Sequence, residues 1–279
     1  MSALVWRLAR LLPLWLVVHA AVAAEPLVVA DLPYKAGADL TDYERQRCRL
    51  DVWKPADAHD APVVIWFYGG GMTSGDKGSK WSADKGRSLA RAGFVVVLPN
   101  YRLSPKVTYP AYIQDAASAV AWAYQHSAEY GGNPRRLFIA GHSAGAYLAL
   151  MVGMAPDYLT AVGVPTEAVA GIVSVSGQAM THNAVRNERG LLPMTIIADD
   201  AAPIRWIHAG LPPMLMLYGD QDAPGRAEEV SFFAAMLRAA GHTSVTTQCI
   251  ADRTHGGIAD GLAVDGDPAR TAMIDFVRR

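Results

Sequence analysis

A serine bracketed by glycines, between a strand pattern and a helix pattern, constrains this chain more than any other feature. Residues 141–145 read Gly-His-Ser-Ala-Gly; the apolar run Arg136–Ala140 precedes them and the helix-like run Ala146–Val152 follows. Where a strand turns sharply into a helix the two elements cross closely, and a Cβ at the crossing would clash. The turn holds Ser143 clear of the sheet edge, beneath the positive end of a helix. This context favours a nucleophilic serine over the alternative of a plain turn.

Apolar strand-like runs alternate with helical patterns along most of the chain. Continuous apolar strands are buried on both faces, which is typical of a mostly parallel sheet. We therefore expect an α/β fold with a twisted sheet, right-handed crossovers and helices on both faces. The predicted strands are Arg49–Trp53, Val63–Tyr68, Phe94–Leu98, Leu137–Ala140, Gly171–Val175, Met214–Tyr218 and Ser244–Ile250. The predicted helices are Ser79–Ala92, Tyr112–Tyr124, Ala144–Met154, Arg226–Ala240 and Pro268–Val277. The first two strands are predicted to pair as a hairpin.

The first 24 residues have the pattern of a secretory signal peptide. Arg7 and Arg10 form a basic start, Leu11–Val22 is almost wholly apolar, and residues 21–24 are small enough for cleavage. The apolar run is shorter than the roughly 20 residues that span a bilayer. We expect an exported protein with no membrane span in the mature chain, and residues 25–279 as its single domain. An uncleaved N-terminal anchor is the alternative.

Charge and residue spacing exclude several classes of function. The net charge of −1 would become about −3 on loss of Arg7 and Arg10, which gives no basic surface for nucleic acid. Neither His nor Cys shows zinc-like spacing, so no metal or cofactor site is predicted. Cys48 and Cys249 could form a disulfide in an exported protein. They fall in segments expected near opposite edges of the sheet, which favours free thiols. The oligomeric state is left open.

Ser143 requires a base, because a serine hydroxyl is a weak nucleophile at neutral pH and depends on an imidazole that a carboxylate orients. His255 is the predicted base, since it follows the last predicted strand and the glycines after it let the loop bend over the serine. The alternative is a surface-loop histidine. Asp220 and Asp222 both follow Met214–Tyr218. Asp222 is the predicted acid because it lies one turn beyond the sheet, whereas Asp220 is expected to cap the turn.

Three consecutive glycines follow the strand Val63–Phe67 and are suited to bind an oxyanion. Acyl transfer places negative charge on the former carbonyl oxygen, and preorganised backbone N–H groups must meet it. Glycines at 69–71 let the amides turn inward with no side chain in the way. We predict donors at Gly70 or Gly71 and at Ala144, just after the serine. A phosphate-binding loop is the alternative, but no Gly-Lys-[Ser/Thr] follows.

The interval between Gly177 and Leu211 is long and has weak periodicity. Loops of this length in a compact domain are usually functional, and this one leaves and rejoins the sheet on the side of Ser143. It is predicted to form a pocket wall or small lid, the alternative being a structural excursion. Aromatic and Met side chains that could line the pocket, although such residues more often lie in the core, are Met72, Trp81, Met180, Met194 and Trp206.

The combined motifs resemble the α/β-hydrolase superfamily over roughly Arg47 to the C terminus. Ser143, Asp222 and His255 occur in the order of that superfamily. Within it, the chain is similar to the esterase group that includes hormone-sensitive-lipase-like carboxylesterases, feruloyl-esterase-like hydrolases and kynurenine formamidases. The stretches that carry this likeness are Gly69–Lys77, Asn100–Pro105, Tyr109–Ala111, Gln114–Asp115 and Ala209–Pro213. Tyr68 stands where the group usually has a histidine, and no large helical cap is evident, which implies an open, shallow site.

The resemblance and the motifs together predict an exported serine hydrolase that cleaves small carboxylic esters through an acyl-enzyme. Ser143 is the expected nucleophile, His255 the base and Asp222 the orienting acid. One alternative is an amidase of the kynurenine-formamidase type, for which the same three residues would serve. The other is a hydrolase-like binding protein without turnover. The sequence leaves the acyl and alcohol specificity open.

Overall fold

One mixed sheet organises the chain in the computed structural model, which describes residues 24–192 and 195–279. Its strands are β1 Leu27–Pro33, β2 Arg49–Lys54, β3 Ala61–Phe67, β4 Val95–Pro99, β5 Gly132–His142, β6 Val169–Val175, β7 Met214–Gln221 and β8 Val245–Thr254. Their spatial order is β1-β2-β4-β3-β5-β6-β7-β8. Every pair from β4 to β8 is parallel, and β2 runs antiparallel to both of its neighbours. The predicted signal peptide falls almost wholly outside the described residues.

Helices cover both faces of the sheet. They are α1 Asp42–Arg47, α2 Lys80–Arg91, α3 Ala111–His126, α4 Ala144–Met154, α5 Pro156–Ala161, α6 Asn183–Glu188, α7 Arg226–Ala239, α8 Gly257–Gly261 and α9 Pro268–Arg278. Alternate residues of β3 divide the core: Ile65 packs with the cluster that contains α3, α4 and α7, whereas Trp66 packs with the cluster that contains α2, α8 and α9. The predicted α/β architecture is confirmed.

The predicted hairpin is wrong. β2 does not pair with β3; it pairs antiparallel with β1 and with β4, for example Val52 with Val97. The crossover through α2 carries the chain from β3 to β4, and β4 then lies between β2 and β3. The alternating apolar pattern of β2 is compatible with pairing to β3 or to β4. The sequence pattern alone therefore favoured β3, the next strand along the chain. Strand β1 was not predicted, because all of its residues except Leu32 are exposed.

The two cysteines lie far apart across the sheet. Cys48 is buried at the C-terminal end of α1, directly before β2, and Cys249 is exposed on β8. Six strand spacings separate β2 from β8, which amounts to roughly 29 Å at about 4.8 Å per strand. A disulfide needs Cα atoms within about 7 Å. Both thiols are unpaired in the structure.

Candidate active site

Ser143 lies at the junction of β5 and α4, in a backbone conformation that few side chains adopt. Its φ of 54° and ψ of −118° fall outside the helical and extended regions. Gly145, two residues on, explains the sharpness of the turn: a Cβ there would lie 2.1 Å from the carbonyl oxygen of Phe67 on β3. Ten of the eleven residues of α4 are buried, so helix and sheet fix the position of the serine together. Strain of this kind is typical of functional positions.

The structure brings together the three side chains that the sequence singles out. His255 Nε2 lies 2.9 Å from Ser143 Oγ, and His255 Nδ1 lies 2.6 Å from Asp222 Oδ1. A ring nitrogen facing a carboxylate carries the hydrogen, so Nε2 is left as an acceptor for the serine hydroxyl. The residues come from the ends of β5, β7 and β8, which meet at the carboxyl edge of the parallel sheet. The arrangement can move a proton from the hydroxyl to the imidazole.

Asp222 is held as an anion by several donors. Its Oδ1 also accepts the N–H of Ala223 at 2.7 Å, and its Oδ2 accepts the Ser176 hydroxyl and the N–H of Gly219. Burial alone would raise the pKa of Asp222, but the hydrogen bonds from His255, Ser176 and Ala223 outweigh it and hold the pKa well below its usual range. A carboxylate that stays charged can stabilise a positive charge on His255.

Ser176 is a site residue that the sequence analysis missed. It follows β6 directly, at the same carboxyl edge as Ser143 and Asp222, and it has a φ of 51°. The rule that located the other three residues, a polar side chain just beyond an apolar strand, also applies to Ser176. Asp220, the alternative acid, instead accepts the N–H of Arg253 at 3.1 Å and so links β7 to the segment that leads into His255.

His142 supports the backbone at His255. The His142 side chain is 6% exposed, and its Nε2 lies 2.7 Å from the backbone carbonyl of His255, to which it donates. The ring centres of His142 and His255 are 4.8 Å apart, and the ring centre of Trp81 lies 5.7 Å from that of His142. Burial, followed by the proximity of His255, lowers the pKa of His142 to about 4. The His142 ring is therefore neutral at pH 7, and its hydrogen bond holds the backbone of His255 in place.

The glycine loop, residues 69–71, lies directly against the turn that holds Ser143. A Cβ on Gly69 would lie 3.3 Å from Ser143 Cβ, and one on Gly70 would lie 2.3 Å from the carbonyl oxygen of Ser74. Gly70 has a φ of 118°, and its own carbonyl accepts the N–H groups of Thr73 and Ser74. Among the described residues, no hydrogen bond uses the N–H groups of Gly70, Gly71 or Ala144. These three amides remain available to a ligand.

Tyr68 anchors the start of this loop. Its hydroxyl accepts a hydrogen bond from Arg47 at 2.6 Å, its ring stacks on Tyr101 at 4.7 Å, and its carbonyl accepts the Tyr101 hydroxyl at 2.9 Å. These contacts fix the backbone at the start of the glycine loop. The loop shape therefore does not depend on a histidine at this position.

A cavity of about 590 Å³ opens beside Ser143 and His255. The segment between Gly177 and Leu211 contributes Gln178, Met180, His182, Asn183, Arg186 and Ile196 to its lining. A smaller cavity of about 320 Å³ is lined by Tyr68, Trp81 and His142. Of the aromatic and Met candidates, Met180 and Trp81 reach a cavity, Met72 is fully buried, and Trp206 lines neither cavity. Met194 lies outside the described residues.

Residues 24–192 and 195–279 contain no group of three or more His, Cys, Asp or Glu side chains arranged to hold a metal ion. Over the same ranges, no helix has the length and apolar character needed to cross a membrane.

Comparison with known proteins places the chain in a family. Residues 50–237 match BD-FAE. The chain belongs to the BD-FAE family. This span contains Ser143, Asp222 and the glycine loop, whereas His255 follows it. The family assignment confirms the resemblance to the esterase group of the α/β-hydrolases.

Named relatives and solved structures support the same fold. Esterase LipQ of Mycobacterium tuberculosis is 29% identical over 236 residues, covering 78% of this chain and 54% of LipQ. The chain thus spans about half the length of this relative. A truncated carbohydrate esterase from gut microbiota superposes with a TM-score of 0.71 at 20% identity, covering 92% of this chain and 97% of that one. Esterase 2 of Thermogutta terrifontis, phosphoramylated by tabun, gives 0.67 at 22% identity, covering 92% and 93%. The fold is that of α/β-hydrolase esterases.

Proposed function

We propose that this protein hydrolyses small carboxylic esters, with Ser143 as nucleophile, His255 as general base and acid, and Asp222 as the carboxylate that orients His255. The observation that carries the proposal is the hydrogen-bonded chain from Ser143 Oγ through His255 to Asp222, next to unused backbone N–H groups. Membership of BD-FAE and the names of LipQ and the two solved esterases support the ester class.

In the first half of the reaction, His255 Nε2 takes the proton of Ser143 as its Oγ attacks the ester carbonyl carbon. The charged imidazole then faces Asp222, which stabilises it without taking its proton. His255 returns the proton to the departing alcohol, and the acyl group remains on Ser143. In the second half, His255 activates a water that releases the acid and restores the serine.

The oxyanion formed in each half would be met by N–H groups of Gly70 or Gly71 and of Ala144. Ala144 is the first residue of α4, so its N–H has no acceptor within the helix. The other donor belongs to a loop whose carbonyls are engaged elsewhere, notably that of Gly70 by Thr73 and Ser74. Loss of one such donor typically lowers turnover by about 10²–10³.

We also propose that the protein is exported, on the strength of the basic and apolar pattern of residues 1–24. Expression of the full chain with fractionation of cells and N-terminal sequencing of the product tests this. Recovery of the product outside the cytoplasm with its N terminus near residue 25 is expected. Retention of residues 1–24 on a membrane-bound product would show the uncleaved anchor instead.

Initial rates on 4-nitrophenyl esters of two to eight acyl carbons test the reaction. Ser143→Ala should lower kcat/KM by roughly 10⁴-fold or more, since loss of the nucleophile removes the covalent route. Ser127→Ala is the matched control, because Ser127 is a buried serine whose hydroxyl has no hydrogen-bond partner among the described residues. Wild-type turnover by Ser143→Ala would refute the mechanism. N-formylkynurenine, assayed in parallel, tests the amidase alternative.

A further inference from the structure

Two arginines line the cavity beside Ser143, and the proposed chemistry uses neither of them. Arg186 lies on α6 and Arg226 begins α7. Both residues are buried: Arg186 is 9% exposed and Arg226 is 7% exposed. Charged groups this deeply buried normally have an opposite charge within contact. The two arginines differ in whether the protein supplies this opposite charge.

Arg226 is neutralised within the protein. Its Nη1 lies 2.7 Å from Glu229 Oε2 and 2.6 Å from the carbonyl oxygen of Gly177. Glu229 in turn accepts the N–H groups of Ala179 and Met180 at 2.8 and 3.0 Å. This ion pair joins the start of α7 to the cavity wall, and we assign it a structural role.

Arg186 has no ion-pair partner among the described residues, and residues 1–23 and 193–194 contain no Asp or Glu. Nη1 donates to the carbonyl of Thr195 at 3.0 Å, and Nε is enclosed without an acceptor. Among the described residues, none accepts a hydrogen bond from Nη2, and Arg186 is part of the cavity lining. Burial lowers the pKa of Arg186, against an opposing effect of Glu229.

The adjacent His182 adds a neutral donor to the same wall. Its Nδ1 accepts the N–H of Ala184 at 3.1 Å, so the hydrogen of the neutral ring lies on Nε2. Burial, with Arg226 and Arg186 nearby, lowers the pKa of His182 to about 3. Two carboxylates also line the cavity: Glu228 is exposed, and Glu229 is half-buried and already paired with Arg226, so one of the two arginines is left without a matching charge. The deep wall therefore offers donors and an unmatched positive charge.

We propose that Arg186 binds a carboxylate of the substrate, so that preferred substrates are esters whose half in this cavity carries a carboxylate, such as half-esters of dicarboxylic acids. The inference rests on the proposed ester hydrolysis and names its substrate class. A guanidinium presents parallel N–H groups that match carboxylate oxygens, and such charge-assisted bonds are about twice as strong as neutral ones. The bound carboxylate would supply the counter-charge that the protein omits.

Two matched substrate pairs test this proposal. On the acyl side they are mono-4-nitrophenyl adipate and 4-nitrophenyl hexanoate; on the alcohol side they are 4-acetoxybenzoate and its methyl ester. The effect is expected for the pair whose charged half occupies this cavity, acyl or alcohol. In that pair, Arg186→Gln should lower kcat/KM of the charged ester by about tenfold or more, mainly through KM, and kcat/KM of the neutral ester by less than about threefold. Arg186→Lys should restore part of the loss. Arg205→Gln, an exposed arginine outside the cavity, should change neither.

Equal effects of Arg186→Gln on both members of both pairs would overturn the proposal. If this variant does not fold, the wild type decides: KM of the charged ester should rise as NaCl increases from 50 to 500 mM, while that of the neutral ester stays constant. A salt-independent KM for both would refute carboxylate binding. Turnover of the neutral esters reports on the proposed function separately, so its presence with no charge preference would reject this inference alone.

Discussion

Replacement of Asp222 by asparagine isolates the contribution of one negative charge to the reaction. The side chain of Asp222 is 2% exposed and lies 2.6 Å from the ring of His255. With charge centres about 4 Å apart and an effective dielectric constant of about 20, the carboxylate stabilises a charged imidazole by roughly 4 kcal/mol. At about 1.4 kcal/mol per tenfold this corresponds to roughly 10³ in rate. An amide can also favour the wrong His255 tautomer, so the expected loss of kcat/KM is about 10³–10⁴-fold.

Initial rates on a short-chain 4-nitrophenyl ester at pH 7.5 measure this loss, with circular dichroism to verify folding. Asp220→Asn is the matched control, since Asp220 lies two residues away and bonds the backbone of Arg253 rather than His255. It should retain kcat/KM within a few-fold. The reasoning is refuted if Asp222→Asn keeps more than a tenth of wild-type kcat/KM, or if Asp220→Asn loses as much.

Three further outcomes are expected. Ser176→Ala should lower kcat/KM by less than about tenfold, because the N–H groups of Ala223 and Gly219 still hold Asp222; steady-state kinetics will show whether the loss instead matches that of Asp222→Asn. Gly70→Ala should reduce kcat by about 10²–10³ at a nearly constant KM, since a Cβ 2.3 Å from Ser74 O displaces the loop; unchanged kcat would exclude this loop as a donor. The depressed pKa values of His142 and His182, about 4 and 3, mean that the unfolded chain binds more protons below pH 6.5. The contribution of the two rings to the free energy of unfolding is therefore largest above about pH 6.5 and decreases as the pH is lowered, by about 2 kcal/mol per ring between pH 7 and 5. Urea titrations that give the same free energy of unfolding at pH 7 and pH 5 would contradict this.

The central fold could be predicted because its signals are local. The change from an apolar strand to a helical run at residues 140–146 identifies the turn at Ser143, and α4 begins and ends at the predicted residues. The edges of the sheet could not be predicted in the same way. Strand β1 buries too little of its side chains to show an alternating pattern, and the pairing of β2 depends on where α2 returns the chain.

The candidate site was predictable to the extent that its residues follow strands. Parallel strands bring their carboxyl ends to one edge, so polar residues after β5, β7 and β8 were expected to meet. Contacts that depend on exact distances were not accessible: the donation from His142 to the His255 carbonyl joins positions 113 apart. Arg186 lies in a segment without periodicity, and its lack of a counter-charge emerges only when the neighbours are known in space.

Covalent labelling tests the central claim, that Ser143 is an activated nucleophile, most directly. The folded full-length protein is treated with a fluorophosphonate, and intact mass followed by peptide mapping locates the adduct. We expect one adduct per chain, on Ser143, formed in step with loss of esterase turnover and blocked by prior acylation with a slow ester. A folded, unlabelled protein, or an adduct on another residue with turnover retained, would contradict the account.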